Sequence, residues 1–160
     1  MAIELFLRLD GVTGGARNFA HRGWCDVLSW HWDLQRIGDI ASLNELEVVK
    51  PVGLDSPALV QRLVEKTVIP KAQFSAVPTV GKREAAQKYL EMSLEDVTIQ
   101  SIQGGGSTED SLFTETVRLS FSRIHYELHQ HTMATPGGSE ASTESLAFDW
   151  NNTASAPAVA

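Results

Sequence analysis

Four residues that could bind a metal or transfer protons alternate along one short segment. They are His125, Glu127, His129 and His131, each two positions from the next. On an extended strand this spacing places all four side chains on one face. Two or three imidazoles with a carboxylate can bind Zn²⁺. Because the sequence shows no second group of ligands to complete such a site, a solvated strand face is the favoured interpretation, and no metal ligand is assigned.

Other candidates for catalysis are isolated. Four aspartates stand at separate places along the chain with no paired acid or base nearby, at Asp10, Asp26, Asp96 and Asp149. The glycine run 104–106 lacks the following Lys-Ser/Thr and helix of a phosphate-binding loop, so it is interpreted as a turn. Neither a G-x-S-x-G elbow nor an H-E-x-x-H helix occurs. The sequence therefore predicts a protein that is not an enzyme, with no catalytic residue and no cofactor.

Composition sets broad limits on the partners of the chain. Its 160 residues are 42% hydrophobic and 21% charged, which is ordinary for one soluble globular domain. The net charge of −7 argues against nucleic acid as a partner, because such binders need clustered Lys and Arg. The single cysteine, Cys25, excludes an internal disulfide and is expected to be a small buried residue.

The N-terminal segment MAIELFLRLDG has no basic start and no long apolar run, so it is predicted to be a strand and not a signal peptide. No window reaches 18 apolar residues, so no membrane insertion is expected. We therefore expect a chain that is cytoplasmic when made and that leaves the cell, if it does, without a cleaved signal peptide.

Alternating apolar residues predict several strands, and one segment predicts a helix. The predicted strands are residues 2–10, 24–34 (with a buried aromatic stripe), 43–52, 68–78 and 143–150. Residues 55–66 fit a helix with Ser56 as the cap, Pro57 in the first turn, and an apolar face of Leu59, Val60, Leu63 and Val64. Residues 11–23, 35–42 and 132–142 are predicted to be loops.

The longest pattern is a hairpin from Tyr89 to Leu128, with arms of roughly 15 residues against the usual ~5–6. Both arms change the phase of their alternation, at residues 95–96 and at residues 122–123. A phase change in a continuous strand predicts a bulge or a strand that bends from one sheet to another. Strands of this length also leave backbone groups available for another chain.

These elements predict a mainly β fold. We expect a small antiparallel β-barrel or sandwich of two sheets, with one α-helix and a long protruding hairpin. Residues 1–152 should form the single domain, and residues 153–160 a flexible C-terminal tail.

Several blocks of this sequence, taken together and in order, resemble the Hcp family of type VI secretion system tube proteins. The resemblance spans about residues 1–152 and rests on these blocks: MAIELFLRLDGVTG, DVLSWHW, KPVGLDSPAL, YLEMSLEDVTIQSI, LFTETVRLSFSRIHYEL and FDW. It implies a two-sheet β-barrel with one helix and no catalytic residues.

The resemblance also implies partners. Family members form homohexameric rings that stack into a tube with a spike protein at its tip. A contractile sheath propels the tube, so the resemblance implies a protein secreted to the extracellular space or a target cell, and small secreted effectors travel in the ring lumen. Ring-to-ring contacts are expected from three polar segments, residues 11–23, 36–42 and 151–160, so deleting residues 11–23 should weaken stacking and leave the barrel folded. The alternatives are a phage-type tail tube subunit and a monomeric β-barrel binding module or metal-dependent enzyme built around residues 125–131.

Overall fold

A computed structural model describes residues 3–78, 89–132 and 142–151. Within these ranges it contains nine strands, one α-helix and a short 3-10 helix at Phe19–His21. The elements are β1 Ile3–Leu9, β2 Cys25–Val27, β3 Ser29–Ile37, β4 Ile40–Pro51, α1 Ser56–Val64, β5 Ile69–Pro78, β6 Leu90–Gly105, β7 Thr114–Ser120, β8 Arg123–Thr132 and β9 Ser142–Asn151. The predicted mainly β class with a helix is confirmed. In the described residues, no helix has the length and apolar character needed to cross a membrane.

The long strand β6 joins two antiparallel sheets. Its first half, Leu90–Glu95, lies between β5 and β8, in a sheet with the order β2-β1-β5-β6-β8-β9. Its second half pairs with β7, in a sheet with the order β6-β7-β4-β3. The two-sheet arrangement agrees with the predicted barrel or sandwich.

Both predicted phase changes are confirmed at the point where β6 changes partner. Glu95 pairs with Arg123 of β8, and Thr98 pairs with Ser120 of β7. Between them Asp96 has φ of 52°, which breaks the alternation in β6. The second arm of the hairpin is interrupted at residues 121–122, so it forms two strands that belong to different sheets.

The core lies between the sheets and is covered at one side by α1. Its fully enclosed side chains include Phe74, Met92, Val97, Val117 and Leu119. Cys25 is buried among them, as predicted. The helix contributes Leu59 to the core and Leu63 to its margin, whereas Val60 and Val64 of the predicted apolar face are exposed.

The helix start differs from the prediction. Asp55 occupies the cap position, and Ser56 is the first helical residue. The Ser56 hydroxyl still accepts a hydrogen bond, at 2.9 Å, from the backbone N–H of Gly53. The prediction of Ser56 as the cap was therefore wrong by one position, because local sequence does not distinguish two adjacent polar residues.

The predicted connection at residues 35–42 is wrong. β3 continues to Ile37 and β4 begins at Ile40, so only Gly38 and Asp39 form the turn. Gly38 has φ of 63°, which suits the first position of a type II′ hairpin turn. Both faces of this hairpin end are exposed, so its residues need not alternate and no strand pattern appears in the sequence.

The loop of residues 11–23 is also more buried than its polarity indicates. Its Ala16 packs with Phe6, Val77 and Trp24 in a second small core outside the main one. His21 of the same loop stacks on the Phe6 ring with the ring centres 4.6 Å apart. Deleting residues 11–23 would expose Phe6, so we expect this deletion to destabilise the barrel, in contrast to the expectation from the sequence.

Phe6→Ala should lower the free energy of unfolding by about 3 kcal/mol, near the lower end of the range for a buried aromatic residue, because the cluster is small. Denaturant unfolding of the purified chain measures this change. The control is Phe19→Ala, because Phe19 is 96% exposed in the same loop region and should cost less than about 0.5 kcal/mol. Equal losses for the two variants would contradict the second core.

Candidate functional site

The histidine-bearing face of β8 is half-buried and carries a polar network. His125, Glu127 and His129 alternate on this face, as predicted. Glu127 lies between the two rings: its Oε2 is 3.4 Å from His125 Nε2, and its Oε1 is 3.4 Å from His129 Nε2. The side chain of His131 lies outside the described residues.

Two residues from neighbouring strands complete this network. Glu91 of β6 is the direct partner of Glu127 in the strand register, and Asp149 of β9 is the partner of His125. The Asp149 Oδ1 atom is 2.6 Å from His125 Nδ1. From the sequence, Asp149 was only an isolated carboxylate and Glu91 was not a candidate, because neither residue is close to β8 along the chain.

The contact with Asp149 changes the acid–base behaviour of His125. Its hydrogen bond to Asp149 is the main cause that raises the pKa of His125 above its ordinary value. Partial burial opposes this effect, and the charges of Asp149 and Glu127 add to it. Ser93 of β6, which is uncharged, is the strand partner of His125 on its other side.

Asp149→Asn should therefore lower the pKa of His125, which titration by NMR would measure. The protonated His125 stabilises the folded protein fully at pH values below the pKa of about 6.5 that it has in the unfolded chain. This stabilisation is lost as the pH rises through the higher pKa of His125 in the folded protein. The difference in unfolding free energy between wild type and variant should follow this course and stay small, since His125 is 38% exposed. Asp33→Asn is the control and should leave the pKa of His125 unchanged. If Asp149→Asn also leaves this pKa unchanged, the contact between Asp149 and His125 is contradicted.

A buried ionic network forms a second polar centre, where β4, α1 and β7 meet. The Lys50 ammonium is 1% exposed, and its Nζ lies 2.6 Å from Glu115 Oε1 and 3.0 Å from Asp55 Oδ1. Lys50 also donates to the Pro51 carbonyl at 2.7 Å, and the Ser56 hydroxyl donates to Glu115 at 2.7 Å. Every charge in this centre is paired, so the arrangement is that of a structural ion-pair network that connects β4 and β7 to the start of α1.

The titration of these groups gives no reactive species near neutral pH. Burial disfavours the charged form of Lys50, but its hydrogen bonds to Glu115 and Asp55 outweigh this and raise the pKa of Lys50. Burial, reinforced by the neighbouring Asp55, raises the pKa of the Cys25 thiol. These shifts favour the protonated forms of Lys50 and Cys25 near neutral pH, and protonated amines and thiols are poor nucleophiles.

The remaining predicted candidates are placed apart from one another. Asp96 accepts a hydrogen bond from the Ser122 hydroxyl at 2.8 Å, at the point where β6 bends. Asp10 follows β1, and Asp26 is exposed on β2. The interpretation of residues 104–106 as a turn was wrong: Gly104 and Gly105 are the last residues of β6 and pair with β7, and the turn lies at residues 108–109. The structure brings none of these residues into the histidine network.

The exposed end of the β3–β4 hairpin, residues 34–41, is a candidate assembly surface and is called the hairpin tip below. Its apolar residues Leu34, Ile37 and Ile40 are 54%, 75% and 47% exposed. In the part of the chain that the structure describes, β3 pairs only with β4, so its other edge is open. An open edge beside exposed apolar side chains is a surface that favours contact with another chain.

Comparisons with known proteins agree with this fold. The family model described as "Type VI secretion system effector, Hcp" matches residues 6–128. The protein Hcp1 of Pseudomonas aeruginosa is 23% identical over 163 aligned positions, covering 94% of this chain and 96% of the relative. The crystal structure of Hcp1 from Salmonella typhimurium is 24% identical, covers 96% of this chain and 97% of its own, and gives a TM-score of 0.77.

A further solved structure, described as a type six secretion system protein, has a TM-score of 0.83 at 18% identity, with 96% of this chain and 98% of its own covered. At these identities the structural likenesses establish the fold, and the family model, which matches more than half of the chain, establishes the family. The chain belongs to the Hcp family of type VI secretion system proteins.

Proposed function

We propose that this chain is a structural subunit of the type VI secretion inner tube and that it assembles into homohexameric rings that stack. The observation that carries the proposal is the open edge of β3, which ends at the apolar hairpin tip. A closed ring covers such an edge on every subunit, whereas an isolated monomer leaves it available for uncontrolled pairing. Family membership gives the ring its expected number of subunits.

The hairpin tip suits contact between stacked rings. Ile37 and Ile40 stand at the end of a two-stranded arm, where a side chain can reach a neighbouring ring. This assignment keeps residues 36–42 as a stacking segment. Residues 11–23 have in addition a structural role, because part of that loop is buried against Phe6.

The subunit would act mechanically and by enclosure. Sheath contraction would drive the stacked rings behind a spike protein out of the cell, and small effectors would be carried in the lumen. This role needs no catalytic residue and no cofactor. The paired charges around Lys50 fit a rigid subunit, because they connect two strands to the helix.

Light scattering coupled to gel filtration on the untagged full chain, with negative-stain images of the peak, tests the proposal. A mass near six times 17.5 kDa with ring-shaped particles supports the tube subunit. A strict monomer at all micromolar concentrations would overturn it in favour of a monomeric binding module.

A further inference from the structure

Three side chains on two neighbouring strands converge on one point of the sheet surface. Glu91 of β6 stands directly opposite Glu127 of β8, and His129 lies two residues further along β8. One ligand atom of each residue lies within 4.8 Å of the other two. All three residues are half-buried, so water has restricted access to them.

The distances suit a tetrahedral metal ion. Zn²⁺ binds nitrogen and oxygen ligands at about 2.0–2.1 Å, so two ligand atoms of a tetrahedron are about 3.4 Å apart. His129 Nε2 and Glu127 Oε1 are separated by 3.4 Å. The His129 Nε2 atom is shielded from solvent and makes no hydrogen bond with any residue in the described ranges. A shielded polar atom without a hydrogen bond is uncommon, and beyond its ion-pair contact with Glu127 this nitrogen is available to a ligand.

A second layer of residues orients one of the carboxylates. Asp149 holds His125 through Nδ1, and the other nitrogen of that ring lies 3.4 Å from Glu127 Oε2. This contact leaves Glu127 Oε1 directed toward His129. Carboxylate–histidine pairs that position a ligand are a common feature around bound metals.

The charges also favour a cation. Like charges directly opposite each other on paired strands destabilise a sheet. Glu91 and Glu127 are such a pair, and a divalent ion between them would attract both carboxylates. The ion would connect β6 to β8.

We propose that Glu91, Glu127 and His129 form a Zn²⁺ site with the fourth position open to water. The imidazole ligand selects zinc and similar transition metals over Mg²⁺, which prefers oxygen ligands. The site adds a ligand-binding property to the proposed tube subunit and does not depend on ring formation. The sequence alone favoured a solvated face here because Glu91 is remote in the chain and becomes a neighbour only through the strand register.

Calorimetric titration of ZnCl₂ into the metal-free, tag-free full chain tests the site. We expect one Zn²⁺ per chain, and at least a tenfold loss of affinity in Glu91→Gln, Glu127→Gln and His129→Gln. Asp149→Asn should weaken binding about tenfold, as an outer residue does. His31→Gln is the matched control, because His31 contacts Asp33 at 3.2 Å on an exposed strand and should leave the affinity unchanged.

A thermal unfolding series separates a lost ligand from a lost fold. Zinc should raise the unfolding midpoint of the wild type in proportion to the logarithm of its concentration, and folded Glu91→Gln should need at least tenfold more zinc for the same increase. The site would be overturned if the wild type did not bind zinc, or if His129→Gln and Glu91→Gln bound it as well as the wild type does. Equal affinity for Mg²⁺ and Zn²⁺ would also overturn it. If the protein forms rings but binds no zinc, only the zinc site is rejected. If it is a monomer that binds zinc, only the proposed role as a tube subunit is rejected.

Discussion

Lys50→Met should lower the free energy of unfolding by about 3–5 kcal/mol, because it removes the positive charge that pairs with two buried carboxylates. Glu115 and Asp55, which lie 2.6 Å and 3.0 Å from Lys50 Nζ, would remain enclosed. An enclosed charge without its partner is far less stable than the same charge in water. Denaturant unfolding followed by circular dichroism measures the loss.

The control is Arg123→Met, which removes an ion pair with Glu95 at 3.4 Å on the surface. Both of those side chains are well exposed, at 59% and 45%, so the expected loss is no more than about 1 kcal/mol. Similar losses in the two variants would contradict the view that burial makes the Lys50 network important.

The pH dependence follows from the direction of the Lys50 pKa, which is raised in the folded protein. The charged Lys50 stabilises the fold fully at pH values below the pKa of about 10.4 that a lysine has in the unfolded chain. The stabilisation is lost as the pH rises through the higher pKa of Lys50 in the folded protein. The part of the difference in unfolding free energy between wild type and Lys50→Met that arises from this ionisation should therefore be constant near neutral pH. It should become smaller in alkaline solution.

The double substitution Ile37→Lys and Ile40→Lys should abolish ring stacking while the barrel stays folded. Two isoleucines buried at a contact contribute about 3–6 kcal/mol, which corresponds to a factor of roughly 10²–10⁴ in the association constant. The added charges would also repel the neighbouring chain. Light scattering and negative-stain images of assembled tubes measure the loss, and circular dichroism confirms the fold.

Val64→Lys is the matched control, since Val64 is 72% exposed on α1, away from the hairpin tip. It should leave stacking unchanged. If the double variant stacks like the wild type, or if Val64→Lys has the same effect, the hairpin tip is not the contact.

The amino-acid sequence by itself predicted most of the strands, the helix and the bend of the long hairpin. It missed the strand residues at 35–37 and 40–42, and it joined β2 and β3, which lie in different sheets, into one strand. These follow from the alternation of apolar residues with a period of two or near four, which is a property of neighbours in the chain. The change of alternation at residues 95–96 could be predicted from the sequence, because one displaced residue moves every later side chain of the strand to the other face of the sheet. The Hcp resemblance rested on the same local blocks.

Only the tertiary structure decided which polar residues meet. Lys50 looks like an exposed strand residue until β4 and β7 bring Glu115 beside it, and Glu91 joins Glu127 only through the register of β6 and β8. The loop at residues 11–23 likewise shows its buried role only when Phe6 is placed beneath it. Burial and charge pairing are set by contacts between segments remote in the chain, whereas periodicity is set by adjacent residues, so a single sequence predicts the elements and not their polar contacts.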